Sequence, residues 1–347
     1  MASQKLFFRR TLLVFGGLAL GGLIAEGALR LAGLQPERPH VTRIGREAIR
    51  RPAPGLAYLY EPYTSFTEQW PSDPHGYLGE DRSITYQVNN AGFRGEDFGL
   101  EHPGGTRVAI LGDSFAWGTG VRSEDLASAR IEQVLRSSAG VEGPADVYNF
   151  GLAGYNTANE LALLEHTVLD YDPDVCVLWY FLNDLGGVST LNSLGGNDRL
   201  RSWREHSALL DLLVRPVDRW LGQRRLTERY LEDYAEGSPL LDDLRRRIFW
   251  FSWLCRQHDV VPLLVIHPVL TTLDDEHPFA GIHELIRGLA AERDIETVDL
   301  LPVFLGQDAE RLWVHPTDQH PNHRAHRMAG EAVGEALVEL LTTPEAR

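Results

Sequence analysis

The sequence predicts an α/β protein built on a parallel sheet. Short β-rich apolar runs at 108–111, 146–150, 175–180, 260–266 and 296–299 are separated by stretches whose apolar residues recur at helical spacing. The first three runs end at Gly112, at Gly151 and just before Asn183, which are turn signals at the carboxyl ends of strands. Strand, turn and helix alternate with no internal repeat, which is the doubly wound pattern.

The chain opens with Lys5, Arg9 and Arg10, then an uncharged, Gly-rich run from Thr11 to Ala25. Glu26 and Arg30 interrupt its continuation to Leu34. Residues 1–34 read as a signal anchor or a secretory signal peptide. The run is short for a span of ~20 residues, and reaches that length when Gly27 to Leu34 is included and Arg30 snorkels to the interface. The basic flank puts the amino terminus in the cytoplasm and the rest outside, in the periplasm or at the cell surface. Residues 35–105 read as a stalk and amino-terminal extension, of which 35–80, rich in Pro, Tyr and charged groups, is an extended stalk laid against the main domain. Within them Ile84 to Val88 alternates like a strand and stops at Asn89-Asn-Ala-Gly92.

The main domain is expected over 106–343. Its first strand stops at Gly112-Asp113-Ser114, a strand-to-helix turn at the sheet edge where open α/β sheets build their sites. A Ser there is exposed, with helical N–H groups beside it. Ser123 caps a helix with Glu124 and Asp125 in its first turn, followed by Ala127, Ile131, Val134 and Leu135. The second strand runs into Gly151-Leu-Ala-Gly154, and Thr157-Ala-Asn-Glu160 reads as a capping box ahead of Leu161, Leu164 and Val168. The third strand ends in Phe181-Leu-Asn183-Asp184. Residues 185–240 break the rhythm, carry Trp203 and Trp220, and read as an inserted cap. Leu241, Leu244, Ile248, Phe251 and Cys255 restore a helix. His267 follows the fourth strand, and Ile282, Leu285, Ile286 and Leu289 precede the fifth. His315-Pro-Thr-Asp318-Gln-His320-Pro-Asn322 reads as a loop before a last helix that buries Ala325, Met328, Ala329, Ala332, Val333, Ala336 and Leu340.

Taken in order, Gly112-Asp113-Ser114, Asn149-Phe-Gly151-Leu-Ala-Gly154, Phe181-Leu-Asn183-Asp184 and Asp318-Gln-His320 resemble the sequence blocks of the SGNH/GDSL hydrolases over residues 106–340. The G-x-S-x-G elbow of the α/β-hydrolases is absent. Phe181 stands where the family usually has Gly, and Asp-x-His where it usually has Asp-x-x-His. Asn90-Ala-Gly-Phe-Arg-Gly95 and Asp318-Gln-His320-Pro-Asn are similar to segments of membrane-anchored bacterial members. The resemblance implies a three-layer α/β/α fold with strand order 2-1-3-4-5. It further implies an esterase working through an acyl-serine intermediate on an ester-bearing small molecule or glycan. Ser114 would be the nucleophile, His320 its base and Asp318 the orienter. The Ser114 N–H, the Gly154 N–H and the Asn183 amide would form the oxyanion hole. The chemistry asks for this set: a hydroxyl needs an adjacent base, imidazole has the right intrinsic pKa, and a carboxylate fixes its tautomer. Asp113 and His267 are further candidates for touching substrate. The same site also suits an O-acetyltransferase or deacetylase of cell-envelope polysaccharide, and the two departures from the family pattern suit a non-catalytic glycan-binding protein.

Composition narrows the classes. A formal net charge of −16 argues against nucleic acid as a partner. Lys5 is the only lysine, so Schiff-base and P-loop chemistry have no residue in the main domain. Cys176 and Cys255 lie in apolar periodic segments and read as core. His315, Asp318, His320, His323 and His326 offer a rival metal reading, but no H-E-x-x-H motif accompanies them, and neither metal nor cofactor is expected.

Overall fold

An uncharged run with no polar face has nothing to stop it winding as one helix, and α1 runs over Ala2–Leu31. The computed structural model describes residues 2–34, 36, 41–102, 104–141, 143–186 and 203–343, with the side chains of the first six residues left aside. Among these, α1 and residues 203–226 form one unit; residues 41–186 and 227–343 form another. The Ser-, Gly- and Asn-rich part of the expected cap, 187–202, lies outside the described residues.

Residues 41–102, expected as stalk and extension, fold into small antiparallel sheets. Strands β1 (Thr42–Ile44), β4 (Ser65–Gln69) and β5 (Ser83–Gln87) pair in the order β1–β4–β5, and β2 (Arg50–Ala53) pairs with β3 (Leu56–Tyr60). Strands β4 and β5 alternate buried and open residues, which puts Phe66, Glu68, Ile84 and Tyr86 inside. The alternation at Ile84 to Val88 announces β5; the other strands, three to five residues long, leave too little hydrophobic period to be read from the sequence.

The main sheet is the predicted one. Strands β6 (Thr106–Gly112), β7 (Ala145–Asn149), β8 (Val175–Phe181), β9 (Val261–His267) and β10 (Glu296–Asp299) are all parallel, in the order β10–β9–β8–β6–β7. Numbering those five in chain order gives 2-1-3-4-5 from one edge. Central parallel strands are covered on both faces, and every residue of β8 is buried. Helices α3 (Ala127–Ser137), α4 (Thr157–His166), α6 (Pro239–Gln257) and α7 (Ala280–Ala291) follow the strands, and a short α8 (Leu301–Phe304) follows β10. Helix α9 (His323–Thr342) packs on α3, while α4 and α7 pack on α6. Between α4 and α6 lies α5 (Ala208–Asp233). Tyr234, just past α5, belongs to the unit that holds the main sheet: its hydroxyl meets that of Tyr180 and donates to the Leu182 carbonyl at 3.0 Å. Cys176 and Cys255 are buried and free.

Three local expectations are corrected. Ser123–Asp125 is a single 3₁₀ turn without a side-chain cap, and α3 starts at Ala127. The capping box of α4 is Asn156 with Asn159, one residue earlier than Thr157 with Glu160, which leaves Glu160 fully buried. In α9 the buried face is Ala325, His326, Ala329, Gly330, Val333, Gly334 and Leu337; Met328, Ala332, Ala336 and Leu340 are only half-buried. The rotation follows from close helix contact. A Cβ on Gly330 would lie 2.7 Å from Arg130 Cβ and 2.8 Å from the Ala127 carbonyl oxygen.

That contact decides the sign of a substitution. Helix propensity favours Gly→Ala by about 1 kcal/mol, but overpacking against fixed backbone costs about 1–3 kcal/mol. Gly330→Ala is expected to lower the melting temperature. Gly288→Ala, in α7 with no atom within 4 Å of the new methyl, is expected to raise it. Thermal unfolding of the two variants beside the parent checks both signs.

Candidate active site

Strand β6 is crowded where it ends. A Cβ on Gly112 would lie 2.7 Å from Ala116 Cβ and 2.9 Å from the Trp179 carbonyl oxygen, so the chain turns there only without a side chain. Asp113 caps the next turn, accepting the Phe115 N–H at 2.8 Å. The four-residue helix α2 (Ser114–Trp117) then ends at Gly118 in the left-handed region. Ser114 is thereby held at the carboxyl edge of the sheet, half-buried.

The closing block is a β-hairpin and not a loop: β11 (Trp313–His315) pairs antiparallel with β12 (Asp318–Pro321). Residues i and i+2 of a strand share a face, so Asp318 and His320 stand side by side despite the shortened spacing. His320 Nδ1 hydrogen-bonds Asp318 Oδ1, and His320 Nε2 lies 2.9 Å from Ser114 Oγ, across 206 residues of sequence. Asn322 anchors the hairpin. Its amide donates to the carbonyls of Arg311 (2.8 Å) and Trp313 (2.9 Å), and its Oδ1 caps α9 through the N–H groups of Arg324 and Ala325.

Two residues that sequence reasoning passed over complete this frame. Trp70, 1% exposed, donates its indole N–H to Asp318 Oδ2 at 3.1 Å. Arg94, also 1% exposed, donates to the carbonyls of Trp117 (2.9 Å), Gly118 (2.7 Å) and Val121, clamping the turn after Ser114. Its guanidinium lies 4.6 Å from the centre of the Tyr86 ring. Burial lowers Arg94 to about 10, still charged at neutral pH. The Asn90–Gly95 segment was visible as a motif, and Arg94 is its working residue. Nothing in the sequence marks Trp70, because its partner lies 248 residues away.

The electrostatics follow from burial and charge. Burial would raise the Asp318 carboxyl, but the facing His320 charge and the hydrogen bonds from His320 and Trp70 outweigh it and hold Asp318 at about 2. Burial would lower His320, and the Asp318 carboxylate beside it raises it instead. Asp113 is raised, chiefly by burial. Glu160 and Asp184 are raised well above the carboxylate range by burial and by the neighbouring carboxyls.

The other candidates fall as follows. Gly154 is exposed at φ +88°, and among the described residues neither its N–H nor that of Ser114 meets an acceptor. The Asn183 side chain hydrogen-bonds the Asp113 carboxyl, to which the Ser114 hydroxyl also donates at 3.2 Å. Asp113 is 1% exposed and lies beneath the site. His267 is equally buried, bonds the Pro268 carbonyl through Nδ1, and is held neutral by burial at about 3, so it presents no surface to a substrate. Phe181, in place of the family's Gly, is buried and stacks on Phe115 with centroids 3.9 Å apart; Phe115 in turn lies 5.6 Å from the His320 ring. The remaining histidines of the closing block go separate ways. His315 meets Ser72 and Thr317, His323 stacks on Tyr77, and His326 accepts the Ala127 N–H.

A family model described as the GDSL-like Lipase/Acylhydrolase family matches residues 110–328. No curated protein matches the sequence. Among solved structures the chain is similar to TesA (16% identity, 67% of this chain and 98% of that one, TM-score 0.44). It is also similar to the lipase/acylhydrolase from Enterococcus faecalis (14%, 67% and 96%, 0.41) and to the acetyl xylan esterase AlAXEase (17%, 67% and 99%, 0.40).

Trp70→Phe tests the frame. Leaving a buried carboxylate oxygen without its donor costs about 1–3 kcal/mol. Asp318 is depressed on folding, so its contribution is complete above the unfolded carboxyl value of ~3.9 and is lost as pH falls towards about 2. The stability gap between Trp70→Phe and the parent is therefore expected to be full at pH 7 and to shrink below pH ~4, as read by denaturant unfolding across that range.

Proposed function

The chain belongs to the GDSL-like lipase/acylhydrolase family and is a hydrolase acting on ester bonds; from that premise we propose that Ser114, His320 and Asp318 carry the reaction as a nucleophile, base and orienter. The observation that carries this reading is the 2.9 Å contact between His320 Nε2 and Ser114 Oγ. It is the distance over which a hydroxyl proton passes to imidazole.

Ser114 Oγ attacks the ester carbonyl while its proton moves to His320 Nε2. Asp318 holds the Nδ1–H on the far side and balances the imidazolium that forms. The carbonyl oxygen gains negative charge and is met by the Ser114 and Gly154 N–H groups and by the Asn183 amide. That amide has two hydrogens, so one remains after Asp113 is served. The positive φ of Gly154 and the open space around its Cα let a substrate approach without a Cβ in the way. Collapse of the intermediate expels the alcohol, which takes its proton from His320 and leaves acyl-Ser114. Water, activated by the same imidazole, returns the enzyme.

The substrate is an ester on a small molecule or a glycan. Helix α1, apolar over Phe7–Leu31 with mean hydropathy 1.9, spans the membrane in this reading. Its basic amino-terminal flank supports an orientation with the hydrolase outside the cytoplasm.

A fluorophosphonate probe is expected to label the protein, and Ser114→Ala to remove the label and lower kcat/KM on an aryl acetate by about 10³–10⁶-fold. Label surviving in Ser114→Ala would refute the assignment. Asn183→Ala is expected to cost about 10²–10³-fold in kcat. Since His320 acts deprotonated and its pKa is raised, kcat/KM is expected to climb with pH to a midpoint above the ordinary imidazole value of ~6.5.

A further inference from the structure

Helix α5 is amphipathic the wrong way round for a helix facing water. Asp211 is 1% exposed, hydrogen-bonded by Arg204 (2.9 Å) and by Arg215, and Arg204 also pairs with Asp218. The opposite side is apolar and open. Leu213 is 65% exposed, Val217 55% and Trp220 58%, at positions i, i+4 and i+7, with Leu212 and Pro216 alongside. A water-facing helix does the reverse. One turn on, the stripe becomes polar at Gln223 and Arg224, with the Arg224 guanidinium 5.8 Å from the centre of the Trp220 ring.

The start of α5 is tied to α1. The Glu26 carboxylate accepts the N–H groups of Ala208 (3.0 Å) and Leu209 (2.9 Å) and the Ser207 hydroxyl (2.9 Å). Arg30 pairs with Glu26 at 2.6 Å and reaches the His206 carbonyl at 2.7 Å. This fixes a depth. Between Phe7, where the apolar stretch begins, and Glu26 the helix rises roughly 28 Å at 1.5 Å per residue, close to the ~30 Å hydrocarbon core. Glu26 therefore stands at the outer headgroup boundary, and so does the first turn of α5.

We infer that the outward face of α5, Leu212, Leu213, Pro216, Val217 and Trp220, lies in the outer leaflet of the phospholipid bilayer beside α1. The inference rests on the reading of α1 as a span. Trp at the end of the stripe, next to Arg, is the side chain that settles at a membrane interface, and a helix with this face lies in the interfacial plane. The chain then meets the bilayer through an inserted helix face as well as through its anchor.

The test uses the full chain, spin-labelled at Leu213→Cys, Val217→Cys or Trp220→Cys and placed in phosphatidylcholine nanodiscs, with Leu18→Cys in α1 as the internal reference; both native cysteines are buried. Collision with oxygen several-fold above collision with a water-soluble nickel chelate at all three α5 positions, as at Leu18, is the expected result. Water-like collision on α5 with lipid-like collision at Leu18 overturns the inference and leaves the anchor standing. Water-like collision at Leu18 overturns both. Dipolar broadening between Val217 labels of two copies overturns it in favour of a dimer face.

Discussion

Four side chains form one hydrogen-bonded line, Trp70 to Asp318 to His320 to Ser114, and the rest of the molecule is arranged so that it closes. The line joins three parts of the chain that have no local reason to meet: the small amino-terminal sheets, the turn after the first strand of the main sheet, and the last hairpin. Each end is fixed by backbone contacts. Gly112 lets β6 crowd against β8, Arg94 clamps the turn after Ser114, and Asn322 ties the hairpin to α9. Residues 41–102 are therefore part of the site's frame, since both Trp70 and Arg94 come from them.

Beneath that line lies a second constraint. Asp113, Glu160 and Asp184 are all fully buried and act on one another electrostatically. Like charges in a dry interior cannot all ionise. The donors are unevenly shared. Asp113 receives the Phe115 N–H and the Asn183 amide, Asp184 receives the Phe181 N–H, and neither oxygen of Glu160 meets a partner among the described residues. Burial raises all three, Glu160 and Asp184 well above the carboxylate range. Charge kept on Asp113 favours the imidazolium of His320, which works with Asp318 and against the cost of burying that ring.

The architecture was legible because central parallel strands are dry on both faces and appear as unbroken apolar runs. Ser114, His320 and Asp318 were marked out by the resemblance of their sequence blocks to those of the family, and the three lie within hydrogen-bonding distance of one another in turn. Trp70 was not legible, because an aromatic in a Pro- and Tyr-rich stretch has no period and its partner is distant in sequence. The cap of α4 lies one residue before the expected one, since Asn156 and Thr157 are both good caps; Asn156 takes the N–H groups of Ala158 and Asn159, while the Thr157 hydroxyl is turned to the Asp184 carbonyl. The inverted polarity of α5 was hidden for another reason. Its apolar residues are interleaved with Asp and Arg on both sides, so no single stripe stands out in residues 208–233.

The shortened Asp-x-His spacing links several of these features. In a loop, two intervening residues let an aspartate curl back to an imidazole; in a strand, one is enough, because alternation already puts both side chains on one face. Pairing β12 with β11 commits its backbone to the hairpin, so few main-chain donors are left to turn towards the carboxylate. His320 supplies its ring Nδ1 and a longer 3.3 Å N–H contact to one oxygen. The other oxygen, buried and charged, needs a donor from outside the hairpin, and an unpaired one would be costly. Trp70 is that donor. The hairpin geometry and the amino-terminal sheets therefore depend on each other: a strand-borne aspartate is stable in this place only where another part of the chain brings an N–H to it.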